Sequence, residues 1–237
     1  MKDYNTLLFD VDDTLLDFGA AERVALTRLF EKQNVQLTTE IEERYKTINK
    51  GLWQAYELGE LERDEVVTSR FSILFKEYGQ EVDGELLEKD FRSYLDEGNQ
   101  LVNGAVELVS ELHKHYDLYI VTNGYSSTQH KRLHATGLHP LFKDVFVSED
   151  TGFQKPMKGF FNYVFERITN FSLEKTIIIG DSLTADIRGG QIAGIDTCWF
   201  NPSMKQNETK IMPTFQIQKH EELFHILNGK KSSVGSY

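Results

Sequence analysis

The chain has 237 residues, 40% of them hydrophobic and 12% aromatic, enough to bury a sizeable core in one large domain or in a domain with a smaller companion. Its 37 acidic residues outweigh 26 basic ones for a formal charge of −11, which argues against a nucleic-acid polymer as partner and leaves small phosphorylated ligands open. One cysteine, Cys198, excludes an intrachain disulfide and a Cys-rich zinc cluster; with no signal-peptide core and no run of roughly 20 apolar residues, a cytoplasmic protein without a membrane partner is expected.

The apolar run Thr6 to Phe9 predicts a buried strand. It ends in Asp10-Val11-Asp12-Asp13-Thr14, which puts carboxylates where the strand leaves its sheet. An acidic surface turn would look the same in isolation. A calcium loop of the EF-hand kind would not, because its sixth position is Leu15 instead of glycine and its twelfth is Ala21 instead of glutamate. From Asp17 to Asn103 there is no proline, and apolar residues recur at helical spacing in four groups: Val24 to Phe30, Ile41 to Tyr56, Val66 to Tyr78 and Leu86 to Leu95. Gly59, Gly79 and Gly98 break the pattern, so four mutually packed helices are expected. This stretch carries 19 acidic and 11 basic residues and hence most of the excess negative charge.

Beyond it, short apolar runs alternate with amphipathic segments. A helix over Ala105 to His113 leads to a strand over Leu118 to Val121. Its end, Thr122-Asn123-Gly124, offers a hydroxyl and backbone amides ahead of a helix over Ser127 to Ala135, a terminus suited to an anion, although the same residues also serve simply to close a strand and turn. A strand over Val145 to Val147 precedes Lys155, which stands before a proline able to open the next helix, Lys158 to Ile168. Most lysines are solvated surface charges, and spacing alone does not set this one apart. The strand Thr176 to Ile179 passes through Gly180 into Asp181-Ser182-Leu183-Thr184-Ala185-Asp186 and a helix over Thr184 to Ala193. There Asp186 reads either as a helix-start residue favoured by the dipole or as support for a metal. Strands over Thr197 to Phe200 and Phe215 to Ile217 and a helix over Glu221 to Leu227 follow, with Gly229 to Tyr237 expected to fray. Continuous apolar strands alternating with helices indicate a doubly wound parallel α/β sheet, whose ligands sit beyond the carboxyl ends of the strands. Two acids, a threonine, a lysine and further acids stand at four such ends.

In that order, Asp10-Val11-Asp12-Asp13-Thr14, Thr122-Asn123-Gly124, Lys155-Pro156 and Gly180 to Asp186 resemble the four motifs of the haloacid dehalogenase superfamily. The resemblance implies a doubly wound core of residues 1–16 and 104–237 with an inserted α-helical cap, residues 17–103, that opens and closes about segments near 16–20 and 99–104. It implies phosphoryl transfer in preference to dehalogenation, since dehalogenases lack an acid at the place of Asp12. In the mechanism so implied, Asp10 is the nucleophile that forms an aspartyl phosphate and Asp12 is the general acid and base. Mg2+ is held by the side chains of Asp10 and Asp181 and the backbone carbonyl of Asp12, with Asp186 in the outer shell. Lys155, Thr122, Asn123 and Gly124 bind the phosphate. The segment Asn49 to Gly59, containing Trp53 and Tyr56, together with Thr197 to Asn201, further resembles the pyrimidine 5′-nucleotidase subgroup, which implies a nucleoside 5′-monophosphate as substrate; packing inside the cap accounts for Trp53 and Tyr56 equally well. A sugar-phosphate phosphatase or phosphomutase on the same core and a catalytically silent binding member are the alternatives. A signalling receiver domain, which has half this length and no helical insert, fits poorly. Nothing in the sequence bears on oligomeric state.

Overall fold

The computed structural model describes residues 3–227, so the fraying expected of Gly229 to Tyr237 lies outside the described residues. In chain order the elements are β1 (Thr6–Phe9), α1 (Phe18–Lys32), α2 (Thr39–Glu57), α3 (Arg63–Glu77), α4 (Gly84–Leu95), α5 (Ala105–Leu112), β2 (Asp117–Thr122), α6 (Ser126–Ala135), β3 (Asp144–Val147), the one-turn α7 (Ser148–Thr151), α8 (Lys158–Phe165), β4 (Thr176–Gly180), α9 (Arg188–Ala193), β5 (Asp196–Phe200), β6 (Phe215–Ile217) and α10 (Leu223–Leu227). They form two compact units, one of Met1–Leu16, Leu101–Ser126 and Gly137–Tyr237 and the other of Asp17–Gln100 and Ser127–Thr136.

The first unit is the expected doubly wound α/β core. Six strands pair in the order β3-β2-β1-β4-β5-β6, every pair parallel. β1 and β4 are buried along their whole length, as strands covered on both faces must be, and this explains their unbroken apolar runs. Leu8, Val121 and Ile178 meet Phe160, Phe161 and Val164 of α8 in one core. α9 approaches the sheet at a glycine, since a Cβ at Gly190 would stand 2.6 Å from methyl groups of both Ile178 and Thr197. The chain runs outward from β1 to β2 and β3 on one side and to β4, β5 and β6 on the other. The order therefore reverses beside β1, which is where such sheets open a crevice for a ligand.

The second unit holds the four expected helices. Phe30, Tyr45, Phe71, Leu74, Phe75, Leu87 and Phe91 form its core, with Tyr45 and Phe71 stacked at 5.4 Å. Helices α2 and α3 are followed by Gly59 and Gly79 at φ of 75° and 73°, the left-handed backbone that favours glycine past a helix end. Inside the apolar core lies a polar chain. Arg70 donates to Glu88 at 2.5 Å and to Asn49 Oδ1 at 3.1 Å, and Asn49 Nδ2 donates to Glu22 at 3.0 Å, all four side chains being buried.

Two local features depart from the periodicity. Most of α6, which the alternation of strands and helices assigns to the sheet, groups with the helical unit, where Thr128 donates to Asp96 at 2.6 Å and buried Arg132 donates to the Gly98 carbonyl at 3.2 Å. After β4, the helix expected from Thr184 begins as a π-helical turn, Leu183–Ile187, before α9 takes over. Such wide turns often mark functional sites.

Candidate active site

β1 and β4 are neighbours in register, with Phe9 opposite Ile179, and the amide of Asp10 donates to the Ile179 carbonyl at 2.9 Å. The pairing carries Asp10 and Asp181 out of the sheet side by side at the point where the strand order reverses. Beyond Asp10 the chain folds back in a tight loop in which the Val11 carbonyl accepts from the amides of Leu15 at 2.8 Å and Leu16 at 2.9 Å. Asp13 takes a φ of 57°, left-handed backbone that an aspartate tolerates better than most residues. The loop keeps Asp12 half-buried, and returns Thr14 so that its hydroxyl donates to Asp10 Oδ2 at 3.3 Å.

Lys155 is the centre of the cluster, although in sequence it was the least distinctive of the motif residues. It is 1% exposed, and its ammonium donates to Asp10 Oδ1 at 2.7 Å, Asp186 Oδ1 at 2.6 Å and the Val121 carbonyl at 2.7 Å, which occupies all three protons. Asn123 fixes the lysine from behind. Its carboxamide donates to the Lys155 carbonyl and accepts from the Lys155 amide, both at 2.9 Å. The side chain of Asn123 is thus spent on Lys155, which leaves its backbone amide as the group to offer a phosphate. The Lys155–Pro156 peptide is cis and α8 starts only at Lys158, with Met157 as its cap, so Pro156 does not open that helix.

Asp186 is buried to 1% exposure and anchored at both oxygens, by Lys155 and by the Ser182 amide at 3.0 Å. The wide turn brings this carboxylate back over β4, where a Cβ on Gly180 would stand 2.2 Å from Asp186 Oδ2. Glycine is therefore required at Gly180. Thr122, buried at the end of β2, accepts the Gly124 amide at 3.2 Å and so shapes the turn to which both belong. Sequence reasoning passed over three contributors. Thr14 reaches Asp10, the Trp199 indole donates to the Asp181 carbonyl at 2.9 Å, and Lys205, from the loop after β5, lowers the pKa of the Asp181 carboxyl against larger raising effects. Trp199 lies in the Thr197 to Asn201 stretch already singled out; Lys205 carries no sequence signal at all.

Burial dominates the electrostatics. It raises the Asp10 carboxyl to about 7, against the pull of Lys155 and with Asp186 and Asp12 pushing the same way. Asp181 is raised by burial and by the neighbouring Asp10 and Asp186. Burial disfavours the Lys155 charge, but Asp10 and Asp186 outweigh it and hold the ammonium above its ordinary range. With all three carboxylates ionised against one ammonium the cluster would carry two negative charges, a balance that one divalent cation would neutralise. The carboxylates of Asp10, Asp181 and Asp186 each offer an oxygen, all within 4.8 Å of one another. The donors are all hard oxygens, which suit Mg2+. Asp186 gives both oxygens to close donors, at 2.6 and 3.0 Å, whereas Asp10 Oδ2 receives only the long 3.3 Å bond from Thr14, which leaves Asp10 and Asp181 the better placed to face a cation.

Residues 4–194 match the sequence model of the haloacid dehalogenase-like hydrolases. The chain belongs to this family. This haloacid dehalogenase-like hydrolase is 65% identical to the HAD-hydrolase YfnB of Bacillus subtilis over 96% of its own length and 97% of the relative's. It is 44% identical to the pyrimidine 5′-nucleotidase PynA of Streptococcus pneumoniae, over 95% of each chain, and 32% identical to the pyrimidine 5′-nucleotidase YjjG of Escherichia coli, over 94% of this chain and 98% of that one. The crystal structure of YfnB bound to magnesium superposes with a TM-score of 0.92, covering 96% of this chain and all of that one. Among the described residues, no helix is long and apolar enough to cross a membrane.

Proposed function

We propose that this hydrolase is a Mg2+-dependent phosphatase of nucleoside 5′-monophosphates, with a preference for pyrimidines, that works through a phosphoryl group carried on Asp10. The observation that carries the reading is the buried ammonium of Lys155 bridging Asp10 and Asp186 beside Asp181. The likeness to PynA and YjjG supports the choice of nucleotide, and the magnesium-bound YfnB structure supports the choice of metal.

A phosphate monoester is already anionic, so a carboxylate can approach it only where charge is neutralised in advance. Asp10, Asp181 and the Asp12 carbonyl would hold Mg2+, which supplies positive charge to the phosphate oxygens. Lys155 supplies the rest and, by its bond to Asp10 Oδ1, aims that carboxylate. The Thr122 hydroxyl, held by the Gly124 amide, and the amides about Asn123 receive the remaining phosphate oxygens and set phosphorus in line with Asp10. An Asp10 oxygen then bonds to phosphorus as the ester oxygen leaves, taking its proton from Asp12. In the second half a water attacks the phosphorus, gives its proton to Asp12 and releases Asp10 and inorganic phosphate, so that one difficult displacement becomes two easier ones. Asp186 holds Lys155 in place. A phosphomutase would need a second phosphate site. Of the basic residues in the helical unit, Arg70 is consumed in the buried chain with Glu88 and Asn49, and Lys46 pairs with Glu42, which favours the hydrolase.

The test is release of phosphate by the purified protein, with and without Mg2+, from pyrimidine and purine 5′-monophosphates, sugar phosphates and an aryl phosphate. Release is expected to need Mg2+, to be greatest for pyrimidine nucleotides, to vanish in Asp10→Asn and to fall about 100-fold or more in Asp12→Asn. Undiminished release by Asp10→Asn would overturn the mechanism, and a sugar-phosphate preference would overturn the substrate.

A further inference from the structure

The C-terminal part of the sheet unit places a histidine against the loop that carries the acids. His220 is 2% exposed and lies flat on Phe200 at the end of β5, with ring centroids 4.5 Å apart and planes 3° from parallel. Its Nε2 is 2.8 Å from the Thr14 carbonyl and its Nδ1 is 3.1 Å from the Asn103 carbonyl. Both partners can only accept, so each contact is a hydrogen bond only when its own ring nitrogen carries a proton. Next to it Gly104 takes a φ of 83°, left-handed backbone that favours glycine, and a Cβ there would stand in ordinary contact with the ring, 3.8 Å from Nδ1. Nearby, the turn before α5 and the loop after β1 are joined by the Val102 amide donating to the Leu15 carbonyl at 3.0 Å.

Thr14 is the link to the chemistry. Its carbonyl faces His220, its hydroxyl donates to Asp10 Oδ2, and its amide closes on the Val11 carbonyl in the loop that contains Asp12. We infer that His220 is a positioning residue for the reaction: by donating from Nε2 to the Thr14 carbonyl it holds the Asp10 to Leu16 loop in the shape that aims Asp10 and Asp12. The inference rests on the roles proposed for those two aspartates. Burial lowers the pKa of the ring, against the raising effect of the two carbonyls and of Glu107 on α5, which favours the neutral form with a single proton, and the shorter contact assigns that proton to Nε2. Phe200 and the ring stack keep the imidazole from turning away.

The two nitrogens can be tested separately, because the amide nitrogen of glutamine reaches about as far as Nε2 and that of asparagine about as far as Nδ1. His220→Gln keeps the donor to Thr14, His220→Asn keeps only the one toward Asn103, and His220→Phe keeps the stack on Phe200 and neither donor. With the best phosphate ester at saturating Mg2+, kcat is expected to stay within about twofold in His220→Gln and to fall about tenfold in His220→Asn and His220→Phe, with KM little changed. Amide hydrogen exchange is measured on the same proteins without substrate. Exchange across Thr14 to Leu16 should quicken in His220→Asn and His220→Phe but not in His220→Gln. A residue that merely filled space would make the glutamine and asparagine variants alike in both measurements, and that result overturns the inference, as does a glutamine variant slower than the asparagine one. The exchange pattern without hydrolysis of any ester by the wild type would retain the clamp on the loop and overturn the proposed function. Hydrolysis with no distinction among the variants would do the reverse.

Discussion

Lys155 shows how far a single side chain departs from its prospects in sequence. An ammonium at 1% exposure is tolerable only because two carboxylates and a carbonyl replace its water, each within 2.7 Å. The reverse also holds, since Asp10 and Asp186 are buried in its company. Lys155→Met keeps the length of the side chain and removes the charge, leaving two buried carboxylates without a counter-ion. The expected cost is about 3–5 kcal/mol of stability, read from urea unfolding without divalent cation. A loss below about 1 kcal/mol would mean that the carboxylates do not depend on this lysine. Motif spacing could point to Lys155 through a resemblance, yet no local feature of Gln154-Lys155-Pro156 tells a buried ammonium from a solvated one, because its partners lie 145 and 31 residues away.

At the scale of elements, the strands matter because their ends are in register. β5 pairs with β4 so that Trp199 lies opposite Gly180, and this brings the indole to the Asp181 carbonyl. If Asp181 holds Mg2+ as proposed, Trp199→Phe should leave the aromatic packing in place, remove the hydrogen bond and raise the Mg2+ concentration for half-maximal phosphate release about tenfold, the usual size of an effect exerted through a ligand's supporting contact. An unchanged Mg2+ requirement would show that the strand pairing alone fixes Asp181. The strands of the sheet were legible in the sequence to within one residue at each end, as their apolar runs stop where polar motif residues begin. The turn at Leu183–Ile187 was not legible, because its width is set by Asp186 folding back over Gly180. Nor was the grouping of α6 with the helical unit, which depends on the polar contacts of Thr128 and Arg132 with Asp96 and Gly98.

For the whole molecule, charge is the property that reaches beyond contacts. A net charge of −11, held mostly between Asp17 and Asn103, repels highly charged anions at a distance. Monophosphates are therefore expected to have a higher kcat/KM than the corresponding triphosphates at low salt, and the gap should narrow as ionic strength rises, since the Debye length falls from about 30 Å at 0.01 M to about 10 Å at 0.1 M. A gap independent of salt would assign the discrimination to local contacts.

The sequence read alone carries the class of fold and points to the strand ends as the place for chemistry. Local periodicity distinguishes a strand buried on both faces from an amphipathic helix, and a doubly wound sheet puts the ends of its strands where ligands bind. Asp10, Thr122, Lys155 and Asp181 could be named from those two facts and a resemblance. How each of these residues is held depends on the assembled fold: Asn123 gripping the Lys155 backbone, Trp199 on the Asp181 carbonyl, Thr14 on Asp10 and His220 on Thr14. The reason is physical. Periodicity records what a residue's own element requires, whereas these bonds join residues up to 206 positions apart, and their geometry exists only once the sheet has brought the segments together.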